Sequence, residues 1–331
     1  LEIEMNQDET GVIVTDTSTR ISLNEHKIPE QFLKLFPKCS SIFDDLSDEQ
    51  VQSIQQTLAP KALASKKTFI QFIRALPLGT LSTSIFIVSI SLILNGLSLL
   101  GYDIYALSIM FGAYYKTFIM AHFEIFRLFS YGFIHIDIFH LLMNTYALIS
   151  LGNFMERIYG LKRFFVTLIS GIMMGGLFVY VSQGNVLLVG ISAGLFSLLG
   201  VLVVYLFETG LVRQPQIQTQ LWRMVMMNVL ISLIPGISVI GHIGGLITGV
   251  LIGLIYAKSK TLEHIKKHAF YALVLLITAV AGLAYVNESA LPLYGITDQQ
   301  VVDIANDFGL TWYAEDVSEA LIEHYQKVSY E

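Results

Sequence analysis

Residues 164–207 read FFVTLISGIMMGGLFVYVSQGNVLLVGISAGLFSLLGVLVVYLF, 44 positions without one Asp, Glu, Lys or Arg. About 20 apolar residues of helix cross a bilayer, so this run is long enough for two crossings. The Ser182-Gln183-Gly184-Asn185 break divides it. Working outward, uncharged stretches recur at 75–102, 224–257 and 269–287, and Pro235-Gly236 splits the second of these. Transmembrane β-barrels show instead ~10-residue alternating segments. The fold expected is an all-α polytopic membrane protein. Its seven spans lie near 81–100, 134–152, 164–181, 187–207, 221–235, 237–257 and 268–286.

Composition agrees. The 331 residues are 54% hydrophobic and 14% charged, with a mean hydropathy of +0.62. Soluble chains run near ~45–50% apolar with glycine counted, and about 25% charged. The single cysteine, Cys39, excludes an intramolecular disulfide framework, and no CxxC or Cys/His zinc pattern occurs, so neither metal nor other cofactor is expected. The net charge of −6 comes with no basic patch interleaved with aromatics, which argues against a nucleic-acid partner. Residues 1–60 hold 11 acids and 4 bases and show no secretory signal. Within them Ser47-Asp48-Glu49-Gln50 reads as a capping box that opens a helix.

Basic residues orient the spans. Thirteen fall on one side, among them Lys61, Arg74, Arg157, Arg163, Arg213, Lys258 and Lys267; Lys116, Arg127 and Lys327 fall on the other. The positive-inside rule then places the N-terminus in the cytosol. Four regions follow: a cytosolic region at 1–75, a six-helix core at 76–258, a basic linker and seventh helix at 259–287, and an acidic extracytoplasmic tail at 288–331. The tail holds helix candidates at 297–308 and 316–326. The aromatic segment 102–133, too long for a turn, is expected at the membrane interface. The expected location is the plasma membrane of a bacterium.

Polar side chains inside spans are costly and are functional candidates by default. Four stand out: His140 and Asn144 in the second span, Ser192 in the fourth and His242 in the sixth. Counted from the span starts at 1.5 Å per residue, all lie roughly 8–15 Å below one surface. His140 and Asn144 are four apart and share a helix face. His135 would sit some 140° around that helix from His140. A serine hydroxyl attacks only when a base takes its proton, and histidine is the usual base. Acyl transfer also needs donors where the carbonyl oxygen becomes negative. Asn144, His140 and the Ser192 backbone N–H are placed to supply them. No Asp or Glu accompanies His242, so the arrangement is a dyad.

Gly190-Ile191-Ser192-Ala193-Gly194 matches GxSxG, but the strand-to-helix elbow of soluble hydrolases has no place in a membrane span. Small residues there let another helix approach Ser192. Gly241, Gly245, Gly249 and Gly253 give the sixth span a small face that would bring His242 against it.

Taken in order, these motifs resemble the rhomboid family of intramembrane serine proteases over roughly 78–258. The matching set is Glu124-Ile125-Phe126-Arg127; His135, His140 and Asn144; Leu151-Gly152, Glu156 and Gly160; Gly190 to Gly194; and Gly241-His242-Ile243-Gly244-Gly245. The resemblance implies Ser192 as nucleophile, His242 as general base, and His140 with Asn144 at the oxyanion. It implies structural roles for Arg127 and Glu156. A seventh span resembles the six-plus-one arrangement within the family. The family pattern has Trp before the arginine and Thr three residues after it; here these are Phe126 and Ser130.

The function expected is hydrolysis of peptide bonds in or beside transmembrane segments of membrane proteins in the lipid bilayer. The alternative is a non-proteolytic rhomboid-like protein that binds membrane helices as a chaperone or adaptor. The absence of an internal repeat and of acidic pairs within spans counts against a transporter.

Overall fold

The structure, a computed structural model, describes residues 2–5, 11–16, 19–24, 69–182, 186–232, 238–286 and 295–330. The chain divides into two compact units, Leu1–Gln71 and Phe72–Glu331. In the first, β1 (Glu2–Met5), β2 (Gly11–Asp16) and β3 (Thr19–Asn24) form an antiparallel sheet in chain order, with Ile3 opposite Val14 and Val14 opposite Ile21. Alternation in Ile3/Met5 and Ile21/Leu23 carries the strand signal. The helix expected from the 47–50 capping box lies outside the described residues, as does Cys39.

The second unit is a multi-pass membrane core. α1 (Leu78–Leu99) leads into an interfacial segment built from α2 (Ile104–Met110), β4 (Tyr114–Tyr115), α3 (Lys116–Ala121) and α4 (Arg127–Ser130). Then come α5 (Ile138–Tyr159), α6 (Leu161–Ser182), β5 (Leu187–Leu188), α7 (Ser192–Glu208), α8 (Pro215–Ser232), α9 (Val239–Tyr256) and α10 (Glu263–Val286). Two further helices, α11 (Gly295–Asp307) and α12 (Thr311–Tyr330), close the chain. The seven long helices of the core overlap the seven expected spans, though α5 runs on to Tyr159, α8 starts at Pro215 and α10 at Glu263. Five of them are long and apolar enough to cross a bilayer, while α7 is apolar but only 17 residues long.

At three helix starts the structure shows why the boundary differs from the sequence reading. α5 begins at Ile138 rather than at 134, because the Asp137 side chain caps it by accepting the His140 N–H at 2.7 Å. α7 begins at Ser192 rather than at 187, because Gly190 takes φ +107 and leaves β5 extended. At roughly 25 Å, α7 falls short of the ~30 Å hydrocarbon core. The non-helical stretch before it is tolerated because Gly190 and Ile191 are buried in protein. α12 begins at Thr311 rather than near 316, because Gly309 (φ +75) ends α11 with a Leu310 N–H to Ala305 carbonyl bond of 2.8 Å.

Helix ends and seams fix the core. Glu156 on α5 caps α1: its carboxylate accepts the Gly79 and Thr80 N–H groups at 2.8 Å each, and the Thr80 hydroxyl at 3.0 Å. α7 and α9 meet along glycines. A Cβ on Gly249 would lie 2.0 Å from the Ser197 carbonyl oxygen, and one on Gly253 3.0 Å from Val204 Cβ. Gly241 departs from this face: a Cβ there would make only ordinary contacts, 3.4–3.6 Å, with Ser238 and Val179.

Candidate active site

Ser192 is the first residue of α7 and His242 the fourth of α9. The glycine seam carries the two helices so close that His242 Nε2 lies 2.8 Å from Ser192 Oγ. The imidazole stacks on the Phe196 ring, one turn further along α7, with centroids 4.3 Å apart and planes at 14°. That contact fixes the plane of the ring. Phe196 escaped the sequence reading; its only signal was the i+4 spacing from Ser192.

His140 reaches the same place from α5. A Cβ on Gly190 would lie 2.6 Å from His140 Cε1 and 2.8 Å from its Nε2. Gly190 is therefore required twice, by its positive φ and by the approach of His140. The sequence expectation that Gly190 admits a neighbouring helix is corrected: it admits an imidazole. The Gly190 N–H donates to the Tyr131 carbonyl at 3.0 Å, and the buried Tyr131 donates its hydroxyl to the Ile172 carbonyl at 2.8 Å. This anchors the turn before Ser192 to α6.

Asn144 is buried one turn below His140, and its Nδ2 donates to the His140 carbonyl at 3.0 Å. In this state the carboxamide serves its own helix. His135 lies in the extended stretch before the Asp137 cap, so the expected 140° separation from His140 does not apply. The two rings meet edge to face at 5.1 Å. His135 is fully buried, and both its ring nitrogens are without hydrogen-bond partners. Among the described residues no group of three or more His, Cys, Asp or Glu side chains is arranged to hold a metal.

Behind the site, the buried Arg127 organises the interfacial segment. It donates to the Ile109 and Ala113 carbonyls at 2.5 and 2.9 Å and pairs with Glu124. Phe126 and Phe118 place their rings 5.4 and 5.0 Å from the guanidinium. Ser130, standing where the family pattern has Thr, donates to the Gly112 carbonyl at 2.5 Å. These contacts give Arg127 and Glu156 the structural roles expected of them.

The Rhomboid domain family model matches residues 122–259. The chain is 32% identical over 135 residues to RHOMBOID-like protein 4 of Arabidopsis thaliana, covering 39% of this chain and 33% of that protein. It is 32% identical over 177 residues to Rhomboid-type serine protease 2 of Podospora anserina, covering 51% and 58%. Rhomboid-like protease 1 of Toxoplasma gondii matches at 29% over 157 residues, 45% and 52% of the two chains. The match thus spans about a third to somewhat over half the length of these relatives. The matched stretch begins at His122 and ends beyond α9, enclosing His140, Asn144, Ser192 and His242, and this multi-pass membrane protein carries a Rhomboid domain there.

Proposed function

We propose that this protein is an intramembrane serine endopeptidase that cuts peptide bonds in or beside transmembrane segments of membrane proteins. The observation that carries this reading is the 2.8 Å contact between Ser192 Oγ and His242 Nε2. In the proposed reaction His242 takes the hydroxyl proton as Ser192 Oγ attacks the scissile carbonyl carbon. It returns that proton to the leaving amine, and water then hydrolyses the acyl-enzyme by the same route. The Ser192 N–H, at the start of α7, has no acceptor within its own helix and is the backbone donor of the proposed oxyanion hole. His140 and Asn144 are the side-chain donors, the latter after leaving the His140 carbonyl. Stacking on Phe196 takes the orienting part that a carboxylate plays in a triad.

An intact substrate helix hides its carbonyls in internal hydrogen bonds, so helix-weak segments are the expected targets. The cytosolic N-terminus, the bacterial plasma membrane, the extracytoplasmic tail and the four-region division at 75, 258 and 287 belong to the same proposal. Cysteines at 66 and 300 in a Cys39→Ser background should label from opposite sides of the membrane.

The test is cleavage of a panel of tagged single-span substrates by purified protein. Ser192→Ala and His242→Ala should each abolish cleavage, and the double variant should be no worse, because the pair acts as a unit. A chelator should leave activity unchanged. Cleavage by the serine variant would reject the mechanism. Substrate capture without cleavage by the unaltered chain would favour the non-proteolytic alternative.

A further inference from the structure

The sequence marked α11 and α12 as helices of an acidic tail but gave them no partner, and they dock on the interfacial segment. Val301, Ile304 and Ala305 on α11, with Ala314, Val317 and Leu321 on α12, are buried. Four of these share one apolar cluster with Leu107, Ile109, Ala113, Tyr115 and Phe118. Such i, i+3, i+4 stripes bury one helix face each. Polar contacts then fix the register at separate points. Asp298, 3% exposed, accepts the Tyr115 hydroxyl at 2.7 Å and also the Tyr325 hydroxyl. Tyr313 donates to Glu124 at 2.8 Å, and Asp316 meets His122 at 2.8 Å.

Where these contacts land bears on the site. Tyr115 is in β4, and it pairs with Leu187 in β5 while Tyr114 pairs with Leu188. β5 ends two residues before Gly190 and four before Ser192. Asp298 therefore holds Tyr115, β4 holds β5, and β5 sets where the Gly190–Ser192 turn begins. Arg127 reinforces the same strand by gripping the Ala113 carbonyl beside it, and Tyr313 holds Arg127's partner Glu124.

We propose that the C-terminal helix pair is an active-site clamp, in which Asp298 and Tyr115 are positioning residues that hold β4 and β5 and thereby the turn carrying Ser192. This rests on the endopeptidase reading of that serine. The clamp acts on the placement of Ser192 rather than on substrate capture. A displacement of about 1 Å in a reacting group can cost about 100-fold in rate.

The test uses the full-length chain in detergent with a tagged single-span substrate. Asp298→Ala and Tyr115→Phe should each lower kcat by about 10- to 100-fold, with KM within about twofold. Their double variant should be no worse than Asp298→Ala alone, since both remove the bond between Asp298 and Tyr115. Asp298→Asn, whose carbonyl oxygen still accepts the Tyr115 hydroxyl, should recover most of the loss. Tyr325→Phe is the control. It removes the other bond to Asp298, one made wholly within the tail, and should lower melting temperature while leaving kcat near that of the unaltered protein. Amide exchange at 186–190 should quicken in Asp298→Ala and Tyr115→Phe but not in Tyr325→Phe.

Unchanged kcat and unchanged exchange in the first two variants would overturn the clamp. So would kcat losses that merely track melting temperature across all three. If the unaltered chain neither cleaves substrate nor reacts at Ser192 with a fluorophosphonate, the endopeptidase reading fails and takes the clamp's catalytic role with it. That result is distinct from an active enzyme indifferent to the tail.

Discussion

A Cβ on Gly245 would lie 2.1 Å from the carbonyl oxygen of Ala193. Ala193 is backbone neighbour to Ser192, and Gly245 is three positions from His242, so this contact sets how near the two helices run. Nothing flexible stands in the way to give. Gly245→Ala should force α7 and α9 apart, costing about 1–3 kcal/mol and most of the substrate cleavage. Gly241→Ala, with only ordinary contacts at 3.4 Å or more, should keep both. Thermal melts and turnover on the same preparations check this pair.

The oxyanion side predicts a split between turnover and stability. Asn144→Ala should lower kcat by about 10²–10³ if its carboxamide leaves the His140 carbonyl for the transition state. If that 3.0 Å bond is its whole role, turnover should stay near normal, with a small loss of melting temperature. Gly190→Ala should be more severe. It places a methyl 2.6 Å from His140 Cε1 at a backbone φ of +107.

Glu156 should matter to stability and not to chemistry. Its carboxylate accepts two backbone N–H groups and one hydroxyl at the start of α1. Glu156→Ala should therefore destabilise by about 1.5–3 kcal/mol, the scale for hydrogen bonds to a charged group. The fraction that remains folded should turn over at the normal rate. Activity per folded molecule, measured after a denaturant titration, tests this.

The contact between the tail and the interfacial segment should depend on pH. His122 Nδ1 lies 3.0 Å from Glu124 and Nε2 2.8 Å from Asp316, with the Tyr313 ring 5.9 Å away. Only the imidazolium can donate to both carboxylates. Partial burial opposes the charge, but the hydrogen bonds to Asp316 and Glu124 outweigh it and raise the His122 pKa above its ordinary 6.5. A pKa raised on folding adds stability that is complete below the unfolded value and is lost as pH rises through the folded one. Tail docking should therefore weaken from neutral into mildly alkaline pH. Amide exchange over 311–326 across that range should show this, and Asp316→Asn should flatten the response.

Sequence alone determined the membrane architecture, because a bilayer makes a local demand. A spanning segment hides its backbone hydrogen bonds in its own helix and presents about 20 apolar residues, and the uncharged run 164–207 shows that demand without reference to any partner. Its second half meets it only with neighbouring protein around Gly190 and Ile191. It also marked Ser192, His242, His140 and Asn144, since polar groups in such segments stand out against their surroundings. What it did not contain was their local geometry. The short alternating runs of 2–24 left the N-terminal sheet unread. The positive φ of Gly190 made β5 extended and shortened α7, and the Asp137 cap put His135 outside α5 and against His140. Least visible of all was the tail. Asp298 meets Tyr115 across 183 positions and Tyr313 meets Glu124 across 189. The amphipathic stripes of α11 and α12 say only that some surface covers them. Folding chose the interfacial segment, because Leu107, Ala113 and Phe118 offered there an apolar face that Val301, Ile304 and Val317 fill.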